Sequence, residues 1–481
     1  MTLFLSSIAV LIVGYVVYGL IAERVFKIDP SRTTPAYERT DGIDYMPLPT
    51  WKVFLIQFLN IAGLGPIFGA IMGIMFGPAA FLWIVLGTIF AGGVHDFISA
   101  MMSVRSGGLS LPEVIGHELG TSVKQVMRAF SLLLLVLVGA VFVINPADIL
   151  AEMTPDYLDS TVWIGIIFTY YLLATLLPID KLIGNLYPVF GFALLFMAVG
   201  LLVVLFTGSV TIPDGIADGL YSRHKDGIPI FPMMFVSIAC GAISGFHATQ
   251  SPMMARCLKN EKLARPIFYG AMVAEGLVAL IWAAAAIAFT NGYDGLNEYM
   301  TDSKPAHLVT DISVTWLGTF GGLLAIIGVV AAPITTGDTA LRSARLIAAD
   351  FMKFDQRKFW KRVVLSFPIF ALAFVVMLID FKVLWRYFAW CNQTLAVFTL
   401  WGATVYLARH HRAYIITMLP AMFMTAVSIS YLMCAPRPEG FGIDVSIAIA
   451  TGSALSIVLT AIVLMYIRRI NTGRINRKFD Y

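Results

Sequence analysis

Apolar runs of about 20 residues, each closed by a cluster of polar residues, recur thirteen times along the chain. They occupy residues 3–21, 53–76, 79–104, 129–145, 161–179, 186–207, 230–255, 266–290, 316–341, 363–379, 387–408, 413–433 and 443–467. A helix rises 1.5 Å per residue, so each run suffices or nearly suffices to cross about 30 Å of hydrocarbon. The pattern predicts an all-α, polytopic membrane protein of about 13 transmembrane helices. Barrel strands need only about half this length and would alternate, which disfavours a β-barrel. The first run has no basic leader and no clear small-residue cleavage site, so a retained helix is expected there.

Charge placement tests the division into runs. Of the 33 Lys and Arg, 27 fall on alternate connections and 6 on the others. The rich side holds Arg256, Lys259, Lys262 and Arg265, the stretch from Arg342 to Arg362, and the tail from Arg468 to Lys478. That side is expected to be cytoplasmic, with the N-terminus outside and the C-terminus inside a bacterial inner membrane. One miscounted run would scramble the alternation from that point onward. The stretch from Arg342 to Arg362 is read as a loop that sets topology and touches lipid, not as a nucleic-acid surface.

Composition agrees with a lipid solvent. Of 481 residues, 59% are hydrophobic and 13% charged, against about 25% charged in soluble domains, and mean hydropathy is +0.83. An ordinary soluble enzyme is excluded. The four cysteines are too dispersed for a disulfide framework or a CxxC site. Neither a GxxxxGK[ST] phosphate loop nor a GxSxG nucleophile turn occurs, so no cofactor is expected and ATP is not the evident energy source.

Two runs carry glycine breaks. Asn60-Ile61-Ala62-Gly63-Leu64-Gly65-Pro66 interrupts the second, and Cys240-Gly241-Ala242-Ile243-Ser244-Gly245-Phe246-His247 interrupts the seventh, about 180 residues later. Glycine costs about 1 kcal/mol in a helix interior and proline about 3 kcal/mol, so local unwinding is expected at both. Counting from the broken second run gives five runs, and five more follow beginning with the broken seventh. An odd repeat inverts its second copy, giving a first repeat at 51–229 and a second at 230–410. Residues 1–50 add an N-terminal helix and loop, and 411–481 add two C-terminal helices and a tail. The alternative is that the glycines only let helices pack closely. Unwound backbone at membrane depth must line protein or water, so a matched pair of breaks marks a midplane cavity whose half-helix N-termini favour a carboxylate.

Four residues are costly to expose to lipid: His95, Asp96, His247 and Glu275. His95 and Asp96 lie about ten residues from Arg105, and Glu275 lies about ten from Arg265 on a run of opposite direction, so these three sit about 15 Å deep, while His247 lies beside the break of the seventh run. Each could be a buried group satisfied by neighbours. A midplane carboxyl, however, either protonates or pairs, which are the behaviours of a proton carrier or cation site. A metal site from the four is chemically open, but no HExxH-like spacing supports it, and none is expected. The ninth run ends in Thr335-Thr336-Gly337-Asp338-Thr339 followed by Arg342. Local pairing of Asp338 with Arg342 and backward threonine bonds compete there with a proton or cation site.

At these motifs the sequence resembles the carbon starvation protein A (CstA) family of the amino acid–polyamine–organocation superfamily. The segments that carry the resemblance are Gly63-Leu64-Gly65-Pro66, Val94-His95-Asp96-Phe97, Gly245-Phe246-His247-Ala248-Thr249-Gln250-Ser251-Pro252, and Thr336-Gly337-Asp338-Thr339-Ala340-Leu341-Arg342-Ser343. The resemblance implies an inner-membrane importer of peptides or of pyruvate, serving the response to carbon starvation. It would be driven by protons with sodium left open, on a leucine-transporter-like 5+5 inverted repeat with broken first and sixth core helices. It places substrate against Ala62, Gly63, Gly65, Gly241, Ser244, Gly245, His247 and Gln250. Ion coupling falls to His95, Asp96, Glu275, Thr335, Thr336 and Asp338. The expected partners are a small peptide or pyruvate and the bilayer, with no nucleic acid; a small accessory protein is left open. An intramembrane metal-dependent enzyme using the His and carboxyl cluster is the alternative of another class.

Overall fold

The computed structural model describes residues 1–42, 44–176, 179–207, 210–213, 215, 219–354 and 359–472. Every apolar run coincides with a helix or a pair of helices, and no strand occurs among the described residues. The elements that position the site are α1 (Thr2–Phe26), α2 (Thr50–Ile61), α3 (Gly65–Ile74), α4 (Ala79–Arg105), α5 (Leu111–Leu119), α6 (Thr121–Met153), α7 (Ser160–Leu176) and α8 (Ile179–Phe206). They continue with α9 (Ile230–Ser237), α10 (His247–Ala255), α11 (Glu261–Phe289), α12 (Tyr293–Asp302), α13 (Pro305–Ala325), α14 (Ala331–Met352), α15 (Phe359–Val376), α16 (Phe381–Arg409), α17 (Ile415–Cys434) and α18 (Val445–Asn471).

Burial sorts these helices into an inner and an outer layer. The most apolar stretches of α4 and α11 are 83% buried, whereas those of α1, α15 and α18 are only 22%, 28% and 28% buried. A helix that is apolar all round yet exposes Val, Ile and Leu, as α1 and α18 do, is solvated by lipid. The chain is a multi-pass membrane protein.

Both expected breaks are present. The second run divides into α2 and α3, bent by 52° across Ala62–Leu64. Pro66 sits in the first turn of α3, where its missing N–H costs nothing. The seventh run divides into α9 and α10, and the chain between Ile238 and Phe246 is not helical. Gly241 there has φ of 88°, a conformation that an L side chain strains to adopt.

Three details of the connections differ from expectation. The stretch from Arg342 toward Arg362 is not a loop at its start: α14 continues to Met352, with Arg342 and Arg345 buried in it. Arg342 Nη2 donates to Ala174 O of α7 at 2.6 Å, so a backbone carbonyl receives the guanidinium that lipid would refuse. Second, α6 begins at Thr121, well before its apolar stretch. Third, the connection ahead of it forms α5, a short amphipathic helix too brief for a hydropathy window to reveal. Residues 355–358 and 473–481, which carry the remainder of two basic stretches, lie outside the described residues.

Candidate functional site

The two broken segments meet. A Cβ added at Gly65 would overlap the Cys240 side chain, and one added at Gly241 would touch Ala279 Cβ at 2.8 Å and Pro66 Cα at 3.5 Å. Glycine lets the two backbones cross at this point. The residues expected to face substrate, Ala62, Gly63, Gly65, Gly241, Ser244, Gly245, His247 and Gln250, are all enclosed by protein.

Beside the crossing, four ionisable side chains form one chain. His95 Nδ1 lies 2.8 Å from Asp96 Oδ1, and Asp96 Oδ2 lies 2.9 Å from His247 Nδ1. His247 Nε2 is 3.5 Å from Glu275 Oε2, an ion-pair contact too long for a good hydrogen bond. Glu275 Oε1 accepts from the backbone N–H of Gly241 at 3.2 Å. All four side chains have 0% exposure. The cluster therefore runs from α4 through α10 to α11 and ends on the unwound backbone. The Gly241 carbonyl is held from the other side by Thr88 Oγ1 at 2.9 Å.

Local helix geometry explains this convergence. His95 and Asp96 are neighbours on α4, which packs lengthwise on α10, while His247 is the first residue of α10. Glu275 projects from α11, which lies against α2 and α3. Two carboxylates and two imidazoles this deeply buried are stable only as paired groups, and removing one partner would leave a buried charge.

Cys240 Sγ adjoins the cluster, and the ligand atoms of Cys240, His247 and Glu275 fall within 4.8 Å of one another. Three donors are one fewer than a closed zinc site requires. His247 Nδ1 is already turned to Asp96, and Cys240 Sγ contacts Ser244 Oγ and Asn392 Nδ2 at 3.5 Å. The arrangement is that of an ion-pair chain.

The threonine segment occupies a different place. Thr336 Oγ1 donates to Leu59 O of α2 at 3.1 Å and to Ala332 O at 2.9 Å, so it touches the first broken helix one turn before the break. Thr335 and Thr339 bond backwards along α14. Asp338 is buried on the same helix and is not a member of the four-residue chain.

Sequence reasoning missed Asn392. Its Oδ1 accepts from Phe246 N at 2.6 Å and from Ser244 Oγ at 3.0 Å, its Nδ2 donates to Ala239 O at 3.0 Å, and its own carbonyl accepts from Gly245 N at 3.2 Å. Gln393 Nε2 adds bonds to Ile243 O and Phe235 O at 3.4 Å. One carboxamide on α16 thus replaces the helical partners that the unwound segment lacks. The signal was the run Asn392-Gln393-Thr394 in the middle of an apolar stretch.

Among known proteins, the carbon starvation protein CstA family model matches residues 1–156 and 145–316. An uncharacterized membrane protein of Haemophilus influenzae is 44% identical over 344 residues, covering 61% of this chain and 93% of that one. The pyruvate/proton symporter BtsT of Escherichia coli is 30% identical, over 58% of this chain and 48% of its own length. The peptide transporter CstA of Escherichia coli is 27% identical, over 63% and 52%. The chain spans about half the length of these two named transporters. A solved Na+-coupled sialic acid symporter, in a substrate-bound outward-open state, covers 99% of this chain at a TM-score of 0.57 and 13% identity. A manganese transporter of Eremococcus coleocola covers 90% at 0.56 and 14%. These likenesses show the fold, which is leucine-transporter-like.

Proposed function

Given that the chain belongs to the carbon starvation protein CstA family, we propose that it is a secondary active transporter that imports small peptides with protons by alternating access. It is a transporter and not an enzyme by its relatives. The observation that carries the proton-coupled reading is the chain of contacts from His95 through Asp96, His247 and Glu275 to the backbone N–H of Gly241, in which the 3.5 Å step from His247 to Glu275 is an ion-pair contact. A proton entering or leaving that path changes how firmly Glu275 holds the unwound segment. That segment is the one against which substrate is expected, so proton occupancy and substrate occupancy act on the same backbone.

In this reading the pair of repeats spans 51–229 and 230–410, the N-terminus lies outside, and the C-terminus lies in the bacterial cytoplasm. A substrate carboxylate would meet the half-helix N-termini at Gly65 and His247, and a substrate amine would meet Asp96 or Glu275. Thr336, with Thr335 and Asp338 near it, ties α14 to α2 and is the second coupling position.

Protein reconstituted in sealed vesicles should accumulate labelled dipeptide when an inward proton gradient is imposed, and an uncoupler should abolish accumulation. Glu275→Gln and Asp96→Asn should each abolish uphill uptake while leaving exchange measurable. Concentrative uptake unchanged in both variants, or indifferent to the proton gradient, refutes the coupling path. The 30% identity to a pyruvate/proton symporter supports a second reading, import of a 2-oxo acid on the same fold. Dipeptide against pyruvate as competing substrates in the same vesicles separates the two.

A further inference from the structure

Two carboxamides on the first broken helix have no role in the site described so far. Gln57 and Asn60 are both fully buried on α2, and all four of their side-chain polar atoms lack a hydrogen-bond partner among the described residues. Buried amides are almost always paired, because an unsatisfied donor or acceptor forfeits its hydration for nothing. Two such groups three residues apart share one face of the helix.

The packing of α2 says which face that is. Leu55 faces α8, where a Cβ at Gly191 would touch its Cδ2 at 3.5 Å, and the Leu59 carbonyl is taken by Thr336 of α14. At about 100° per residue, Leu55 and Leu59 share one side of α2 and Gln57 and Asn60 share the opposite side. The remaining neighbours of α2 are α10 and α11, the helices that carry His247, Gln250 and Glu275. Gln250, on α10, is itself fully buried with an unpartnered Oε1.

The chemistry of the five open atoms is specific. Gln57 and Asn60 each offer a neutral acceptor and a neutral donor, and Gln250 adds an acceptor. No charge is present among them, so they do not select a carboxylate or an ammonium. A peptide bond supplies one N–H and one carbonyl and complements such a set. A 2-oxo acid supplies only acceptors and would leave every acceptor of the set empty.

We infer that Gln57 and Asn60, with Gln250 opposite, form the subsite that hydrogen-bonds the peptide bond of the substrate and thereby sets a preference for peptides over 2-oxo acids. This rests on the peptide reading of the transporter. The residues are specificity-determining and lie within about one and a half turns before the break, on the opposite side of it from the half-helix end at Gly65.

The test uses the full chain in sealed vesicles preloaded with labelled glycylglycine. Efflux by exchange is driven by external glycylglycine, by its ester analogue glycyl-glycolate, in which oxygen replaces the amide N–H, or by pyruvate. The wild-type protein should prefer the amide to the ester by about 10- to 100-fold in half-maximal concentration, the scale of one unmet buried hydrogen bond. In the apolar double variant Gln57→Met/Asn60→Leu that preference should fall to within about twofold. Should the double variant fail to fold, the single variants Gln57→Met and Asn60→Leu should each narrow the ratio. Because the ratio compares two substrates in one preparation, lower expression does not imitate the effect. Equal affinity of the wild type for amide and ester overturns the subsite, and so does a preference that survives in the variants. If no external solute, glycylglycine included, drives the label out, while vesicles preloaded with labelled pyruvate do exchange with external pyruvate, the peptide reading falls and the subsite falls with it.

Discussion

Asn392→Ala is the sharpest perturbation of the unwound segment, because one side chain carries three of its bonds. The substitution deletes the acceptor of Phe246 N and Ser244 Oγ and the donor to Ala239 O. Ser244 can turn its hydroxyl elsewhere, toward Cys240 Sγ at 3.5 Å. Phe246 N and Ala239 O are backbone groups in a buried stretch and cannot. Each orphaned group costs about 1–3 kcal/mol, so the variant should lose about 2–6 kcal/mol. In a chain this long that corresponds to a few degrees of melting temperature. Tryptophan fluorescence of purified protein during heating in detergent measures the shift, and vesicle uptake measures function. Asn392→Asp keeps the acceptor and loses the donor, so it should retain more of the Phe246 bond but bury a charge, and melt below the wild type as well. An Asn392→Ala protein that melts with the wild type and transports normally would show that the segment between Ile238 and Phe246 does not depend on the Asn392 side chain.

Gly245→Ala should be as damaging for a steric reason: its Cβ would overlap Ala396 N and Asn392 O and lie 2.8 Å from Leu395 C, all rigid backbone of α16. Loss of uptake with protein still in the membrane is the expected readout, and near-normal uptake would contradict the close approach. Outside the membrane-spanning helices, burial pushes the Glu118 carboxyl up to about 7 despite Arg409 Nε at 3.1 Å. A raised carboxyl favours the folded state below its unfolded pKa of about 4.5, and that contribution is lost as pH rises through about 7. Melting temperature should accordingly fall between pH about 5 and 7 in the wild type more steeply than in Glu118→Gln; identical slopes would exclude the effect.

How far the sequence could be read depends on what each residue costs when misplaced. The helices and both breaks were legible, because an apolar run, a midspan Gly-Leu-Gly-Pro and a midspan glycine pair are large local signals. His95, Asp96, His247 and Glu275 were legible for the same reason: a charge in hydrocarbon costs enough to stand out in one sequence. Their connection was not, since it depends on α4 lying along α10 and on Glu275 reaching Gly241 across the second break. Thr336 was half legible. Its backward bond to Ala332 is a property of the helix alone, while its bond to Leu59 depends on which helix packs there.

The carboxamides mark the boundary of what cost alone reveals. Asn392, Gln57 and Asn60 are neutral, so each is tolerated in an apolar run at far lower cost than a carboxylate and escapes a search ranked by charge. Once placed, they divide into opposite kinds. Asn392 has every polar atom engaged with the backbone of the unwound segment, which makes it part of the scaffold. Gln57 and Asn60 have none engaged among the described residues, although they are equally buried. A scaffold that brings Asn392, Gln393, Thr88 and Glu275 onto nine residues of irregular backbone does not leave two neighbouring amides unmatched through lack of partners. The open pair is therefore better explained by something that enters and leaves than by the fold, and that is the property a transported solute must have.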